Sequence, residues 1–160
     1  MTNTLRKIAL GAMLAATTVS AVTMTSCNKE DKTCSVGLSG SDCKTEVRTS
    51  YYNSYKGSGT DNNGDTYTDW TAKFSALGTD VTKMNLQLLD DNLSSVAALT
   101  VTLTSNTAFT IDTKTTSDGY TYSGTGSISA STCTLSITQK EVVTGITITT
   151  VITFNNMVKQ

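Results

Sequence analysis

The sequence predicts an all-β domain, an antiparallel up-and-down meander of about eight strands that closes into a barrel. From Tyr51 onward the chain is dominated by Thr, Ser, Val, Ile and Tyr, residue types that suit a half-buried pleated surface. Apolar and polar residues alternate with a period of two in several segments, which is typical of strands with one buried face. Short turn signals separate these segments and indicate antiparallel pairing of consecutive strands.

The strands follow one another at short intervals. The first is expected near residues 54–60, and the alternation then marks residues 66–77, 81–88, 99–103, 109–111, 119–130, 132–138 and 146–154. In the last of these, Ile146, Ile148, Ile152 and Phe154 share one face. Closure into a barrel removes the exposed edges, which matters in a chain without Pro to protect them. A β-sandwich is the alternative architecture.

Turn-forming residues separate the predicted strands. They lie at residues 62–65, 78–80, 105–106, 118–119 and 144–145, each with Gly, Asn or Asp where a tight turn needs it. The longer connection, residues 90–98, has room for a helical turn.

Composition and charge exclude several classes of function. The 160 residues include no His, which removes Ser-His-Asp and Cys-His nucleophiles, His-ligated zinc and the usual proton shuttle. Twelve basic and 13 acidic residues give a net charge of −1, without the basic footprint of a nucleic-acid-binding protein. We therefore expect no catalytic residues, no cofactor, no metal site and no nucleic-acid partner.

The first 26 residues have the pattern of a secretion signal. Arg6 and Lys7 precede an uncharged stretch at residues 8–24 that is too short and too rich in Thr and Ala for a membrane span. It ends in Met24-Thr25-Ser26-Cys27, which resembles the lipobox of bacterial lipoproteins. The resemblance implies acylation (palmitate) of Cys27 and anchoring of the mature chain in the bilayer of the outer membrane. Ordinary cleavage before a coincidental Cys is the alternative.

The segment after Cys27 is polar. Lys29-Glu30-Asp31 resembles the export signal of surface lipoproteins in Bacteroidetes-type bacteria, which implies display on the cell surface; the periplasmic face is the alternative. We expect residues 27–47 to form the acylated Cys and a flexible tether, and residues 48–160 to form the β-meander domain.

Three cysteines remain if Cys27 is acylated, in a compartment that permits disulfides. Cys34 with Cys43 is the local pairing. The alternative joins one of these two residues to Cys133.

Two Gly-rich strands carry a resemblance to a known type of domain. Residues Tyr55-Lys56-Gly57-Ser58-Gly59-Thr60 and Tyr122-Ser123-Gly124-Thr125-Gly126-Ser127-Ile128 look like segments of small lipid-anchored, lipocalin-like meander domains of Bacteroidetes-type bacteria. The resemblance implies a barrel that binds a small apolar or glycan ligand.

Two functions are consistent with this pattern. A carrier requires a cavity lined by inward-facing Trp70, Phe74, Met84 and Tyr122, whereas about twenty large apolar inward residues indicate a filled interior. The alternative is therefore a structural or adhesion component of the cell surface without a small-molecule ligand.

Two further clusters have alternative interpretations. Asp61, Asn63 and Asp65 alternate as calcium ligands do, although turn chemistry explains the same residues. Tyr51, Tyr52 and Tyr55 precede the firm strand pattern and are candidates for an exposed aromatic patch.

Overall fold

The computed structural model describes residues 33–160 of the chain. It contains ten strands and one short 3₁₀ helix, Val47–Tyr51. Two strands are very short, β1 (Leu38–Ser39) and β2 (Thr45–Glu46). The others are β3 (Ser54–Asp61), β4 (Thr66–Ala76), β5 (Lys83–Leu89), β6 (Ser95–Leu103), β7 (Ala108–Thr115), β8 (Thr121–Ile128), β9 (Thr132–Val143) and β10 (Ile146–Lys159).

Strands β3 to β10 form a closed antiparallel barrel in which each strand pairs with its neighbours along the chain. Closure comes from β10, which pairs with β9 on one side and with β3 on the other. Its Ile152 lies opposite Ile137 of β9 and Asp61 of β3. The predicted eight-stranded meander is therefore confirmed as a barrel rather than a sandwich.

Three turns at one end of the barrel share one backbone geometry. In residues 61–65, 90–94 and 116–120 the first N–H donates to the fifth C=O, and the fourth N–H donates to the first C=O. The fourth residue has a positive φ each time, at Gly64 (92°), Leu93 (60°) and Gly119 (91°). This geometry corrects one expectation, because the 90–94 turn leads directly into β6 and residues 90–98 form no helical turn.

Aromatic rings and aliphatic chains fill the barrel interior. Phe74 packs edge-on against Tyr55 and Phe109, with ring centroids 5.8 and 5.7 Å apart. Inward-facing glycines make room for other rings, because a Cβ on Gly59 would lie 2.6 Å from the ring of Phe154. Such close contacts are typical of a packed core rather than a hollow carrier.

The segment before the barrel corrects the predicted tether and domain boundary. Residues 33–47 include β1, β2 and the Cys34–Cys43 disulfide, whose Cα atoms lie 5.3 Å apart, so the local pairing is confirmed. The Gly37 N–H donates to Asn106 Oδ1 at 3.0 Å, and Asn106 Nδ2 donates to the Leu38 C=O at 3.2 Å. These bonds hold the segment on the barrel, so this part of the chain is not a flexible tether.

Arg48 fastens the same segment to the barrel. Its guanidinium is buried and donates to the carbonyl oxygens of four residues at or beside the turn between β4 and β5. The acceptors are Leu77, Gly78, Asp80 and Lys83. The folded domain thus begins before residue 48, because Arg48 and its preceding strands close this end of the barrel.

The tyrosines near the start of β3 belong to this closed end. Tyr51 and Tyr55 are buried, and their hydroxyls donate to the carbonyl oxygens of Asn106 and Ser129. Tyr52 is half-buried and packs against the core. The three side chains therefore help to close the barrel, and the predicted alternative of an exposed aromatic patch is wrong.

Candidate functional site

The end of the barrel opposite the N-terminal segment is the candidate site. The turns at residues 61–65, 90–94, 116–120 and 144–145 lie there, and no described segment crosses it. Burial on the inward face of β4 increases away from this open end: Tyr67 and Trp70 are half-buried, whereas Ala72 and Phe74 are 0% and 2% exposed. A ligand entering from this end would therefore meet Tyr67 and Trp70 before the packed core.

A bulge in β4 brings Tyr67 and Trp70 onto one face. Gly59 lies opposite Tyr67 and Gly57 opposite Trp70, so three steps along β4 match two along β3. Asp69, within the bulge, has a φ of 58°, a left-handed conformation that Asp tolerates better than most residues. Without the bulge, the odd spacing would direct the two rings to opposite faces of the sheet.

The two rings form an aromatic corner above the core. Their centroids are 5.2 Å apart and their planes are perpendicular, a favourable edge-to-face geometry. The ring centroid of Trp70 also lies 5.8 Å from that of the fully buried Phe154. Packing on one side and partial exposure on the other fix the indole in place while leaving part of it accessible.

Asp61 adds a charged acceptor to this corner. Its Oδ2 accepts a hydrogen bond from the Tyr67 hydroxyl at 3.1 Å, and its Oδ1 accepts from the N–H groups of Asn63 and Asp65, each at 2.9 Å. Desolvation acts to raise the pKa of Asp61, but these hydrogen bonds outweigh it and lower the pKa overall. Desolvation and the hydrogen bond that the Tyr67 hydroxyl donates to Asp61 raise the pKa of Tyr67. An ionised carboxylate therefore faces a neutral phenol.

These bonds also bear on the calcium interpretation of Asp61, Asn63 and Asp65. The Asp61 carboxylate accepts two backbone N–H groups of its own turn, as Asp does in many turns. The described residues contain no group of three or more His, Cys, Asp or Glu side chains placed to hold a metal ion. Turn chemistry accounts for the spacing.

The four residues predicted to line a ligand cavity occupy different environments. Phe74, Met84 and Tyr122 are 2%, 0% and 4% exposed and belong to the core, whereas Trp70 is half-buried. Two surface concavities described below contain none of them. Of the four, only Trp70 is partly accessible, and the structure places it beside Tyr67. The sequence did not predict Tyr67 as a site residue, because its spacing from Trp70 assigned it to the outer face.

A second polar feature lies on the outside of the barrel. Asn155 and Asn156 form a bulge in β10, where Phe154 pairs with Leu135 and Met157 with Cys133. Shallow concavities of about 190 and 250 Å³ flank this bulge and share Thr153 and Asn155. Most of the residues that line them carry a hydroxyl or amide side chain, and none is ionisable.

Cys133 is the one free cysteine among residues 33–160, and it is buried. Burial raises the pKa of its thiol to about 12, so the thiol stays protonated and unreactive at neutral pH. The remaining predicted site residues are the lipobox Met24, Thr25 and Ser26, the acylation site Cys27, and the export signal Lys29, Glu30 and Asp31. All seven lie outside the described residues.

Comparison with known proteins adds no relative from which a function transfers. No family model matches the chain, and no curated protein matches it. Within residues 33–160, no helix has the length and apolar character required to cross a membrane.

Proposed function

We propose that this chain is a lipid-anchored, non-catalytic protein of the outer membrane, displayed at the cell surface, whose barrel binds a glycan at its open end. The observation that carries the proposal is the half-buried Tyr67–Trp70 corner with the Asp61 carboxylate beside it. A sugar ring presents an apolar C–H face and hydroxyl donors together. An aromatic plane and an ionised acceptor complement these two features.

The packing of the interior favours a glycan over an enclosed apolar ligand. A carrier of the second kind needs an apolar cavity of several hundred cubic ångströms. Phe74 and Met84 instead pack into the core, where they are 2% and 0% exposed. A ligand held at the open end needs no such cavity.

The sole tryptophan of the chain makes this proposal directly measurable. Because Trp70 is the only Trp, its fluorescence reports on the open end alone. We expect the emission to shift when a panel of neutral oligosaccharides is titrated into the full-length protein. Tyr67→Phe removes the hydroxyl bonded to Asp61, and Asp61→Asn removes the charge while preserving turn-forming character; each should weaken binding several-fold.

Tyr52→Phe is the matched control, because it also removes one tyrosine hydroxyl but lies at the closed end. That hydroxyl is buried and has no hydrogen-bond partner among residues 33–160. Its loss should leave binding unchanged and stability equal or slightly higher. An equal effect of Tyr52→Phe and Tyr67→Phe, or no response to any oligosaccharide, would remove the basis of the proposal.

The anchor has a separate test. Cys27→Ser should yield unacylated precursor or soluble protein, detectable as the loss of acyl mass from the intact chain. Replacement of Lys29, Glu30 and Asp31 by Ala should keep the acyl mass but abolish protease accessibility on intact cells. Acyl mass on the Cys27→Ser variant would contradict the lipoprotein assignment.

A structural or adhesion role without a small ligand is the second candidate. The observation that favours it is the group of exposed aliphatic side chains on either side of the turn between β9 and β10. Failure of the oligosaccharide titration together with intact surface display would favour this role.

A further inference from the structure

The hairpin formed by β9 and β10 is longer than the barrel wall requires. Strand β8 begins at Thr121, opposite Lys140 of β9, and β3 ends at Asp61, opposite Ile152 of β10. Residues 141–150, here named the hairpin tip, extend beyond both neighbouring strands. Five residues on the β10 side correspond to a projection of about 15 Å.

The hairpin tip is apolar and exposed. Val142, Val143, Ile146 and Ile148 are 66, 40, 67 and 49% exposed. The predicted shared face of Ile146, Ile148, Ile152 and Phe154 is thus buried only for the last two, because the tip leaves the barrel. Glu141 is the only charged residue among residues 141–150. Proteins usually protect a β-branched edge of this kind with charges, Pro or a partner.

The backbone of the tip has a free edge on β10. Val143 pairs with Ile146 across the two-residue turn, so Ile146, Ile148 and Thr150 direct their N–H and C=O groups towards β9. Thr147, Thr149 and Val151 direct theirs to the other side. Asn62 satisfies Val151 with two hydrogen bonds, of 2.8 and 3.1 Å. Within residues 33–160, no strand pairs with Thr147 or Thr149 on that side.

We propose that a second copy of this chain pairs with the β10 edge of the hairpin tip, antiparallel and about a two-fold axis at Thr147. The two Thr147 residues would exchange two backbone hydrogen bonds across the axis. Ile146 of each copy would lie opposite Ile148 of the other, on the apolar face of the tip. The pairing therefore satisfies free backbone groups and covers the exposed isoleucines together.

The neighbouring residues select this register. An axis one residue further on, at Ile148, would bring the turn of the second copy against Asn62, which already occupies the edge at Val151. Val142 lies on the free edge of β9, and a second copy could pair there about an axis at Val142. That pairing would place Glu141 of each copy opposite Val143 of the other, a charge against an apolar side chain. The charge-free β10 edge is thus the self-complementary one, and a closed dimer of this kind is isologous.

Thr147→Cys tests the pairing in the full-length protein in its own envelope. Facing residues of a hydrogen-bonded antiparallel pair have Cα atoms about 5.5 Å apart, within the range that a disulfide spans. We expect a covalent dimer on a non-reducing gel. Val142→Cys is the matched control, because Val142 lies opposite Thr147 in the hairpin and faces the other free edge. Its dimer yield should be lower by at least an order of magnitude.

Proline substitutions supply the second arm. Thr147→Pro removes an N–H that serves no strand of the barrel, so the hairpin should persist while dimerisation is lost. Val142→Pro should retain the dimer. Ile146→Lys, at a site 67% exposed, should weaken the dimer without unfolding the chain.

The opposite pattern would overturn the proposal. Equal crosslinking at residues 142 and 147, no crosslinking at 147, or capture of a different protein by Thr147→Cys would each exclude the β10 pairing of two copies. These outcomes are independent of the oligosaccharide titration, because the hairpin tip does not include Tyr67 or Trp70.

Discussion

Replacement of Arg48 by Ala should destabilise the barrel by about 3 kcal/mol. The Arg48 side chain is 5% exposed, and its guanidinium donates to four carbonyl oxygens at 2.6 to 3.3 Å. The substitution leaves these carbonyl oxygens without their donor, and each acceptor that stays buried and unpaired costs about 1–3 kcal/mol. The total stays near 3 kcal/mol because Gly78, Thr79 and Asp80 are exposed, so water can reach part of the vacated site.

Two further variants separate the contributions to this value. Arg48→Lys keeps the charge but not the planar fork of donors, so it should lose about half as much. Glu46→Gln removes only the ion pair with Arg48, a 2.9 Å contact whose acidic partner is 37% exposed, and should cost less than about 1 kcal/mol.

Urea denaturation of the full-length protein, followed by Trp70 fluorescence and far-ultraviolet circular dichroism, gives the three free energies of unfolding. The expected order of destabilisation is Arg48→Ala, then Arg48→Lys, then Glu46→Gln. A loss below about 0.5 kcal/mol for Arg48→Ala would refute the claim that this side chain fastens the N-terminal segment. An equally large loss for Glu46→Gln would assign the effect to the ion pair instead.

Three other substitutions test local features of the fold. Gly126→Ala should cost about 1–3 kcal/mol in urea denaturation, because its Cβ would lie 2.5 Å from the backbone oxygen of Thr134. Leu93→Gly should stabilise the fold by about 0.5–1 kcal/mol, since Leu93 has a φ of 60°. Gly64→Leu in the equivalent turn should destabilise it by a similar amount. Destabilisation by Leu93→Gly, or stabilisation by Gly64→Leu, would contradict the strain argument. The Cys133 thiol, with its pKa raised from 9.0 to about 12 by burial, should react with a thiol reagent at pH 8 only after unfolding. Because an unfolded chain loses that proton first, stability should fall more steeply between pH 9 and 12 in the parent than in Cys133→Ala, and parallel profiles would contradict the assignment.

Local patterns carried most of the fold prediction. The alternation in residues 132–138 depends only on which residues face the core, and β9 indeed buries Cys133, Leu135 and Ile137. Gly64, Gly119 and Gly145 marked turns because each adopts a positive φ that other residues resist. The Cys34–Cys43 pairing was likewise a local choice, with only nine residues of separation.

The candidate site depended on features without a local pattern. The bulge at Asp69 reverses the face that simple alternation assigns to Tyr67, and a single Asp is a weak signal for it. The exposure of Ile146 and Ile148 follows from where β3 and β8 end, which no property of β10 itself specifies. The burial of Phe74 and Met84 depends on rings contributed from other strands.

By itself, the sequence determined the all-β class, the number and approximate limits of the barrel strands, and their turns, because these depend on residues that are neighbours along the chain. The tertiary structure decided the closure between β10 and β3, the attachment of residues 33–47 through Arg48, and the meeting of Tyr67, Trp70 and Asp61. Each of these requires groups distant in the chain, or a local irregularity such as the β4 bulge, to find a particular partner. Their pairing is set by packing and hydrogen bonding in three dimensions, which periodicity does not encode.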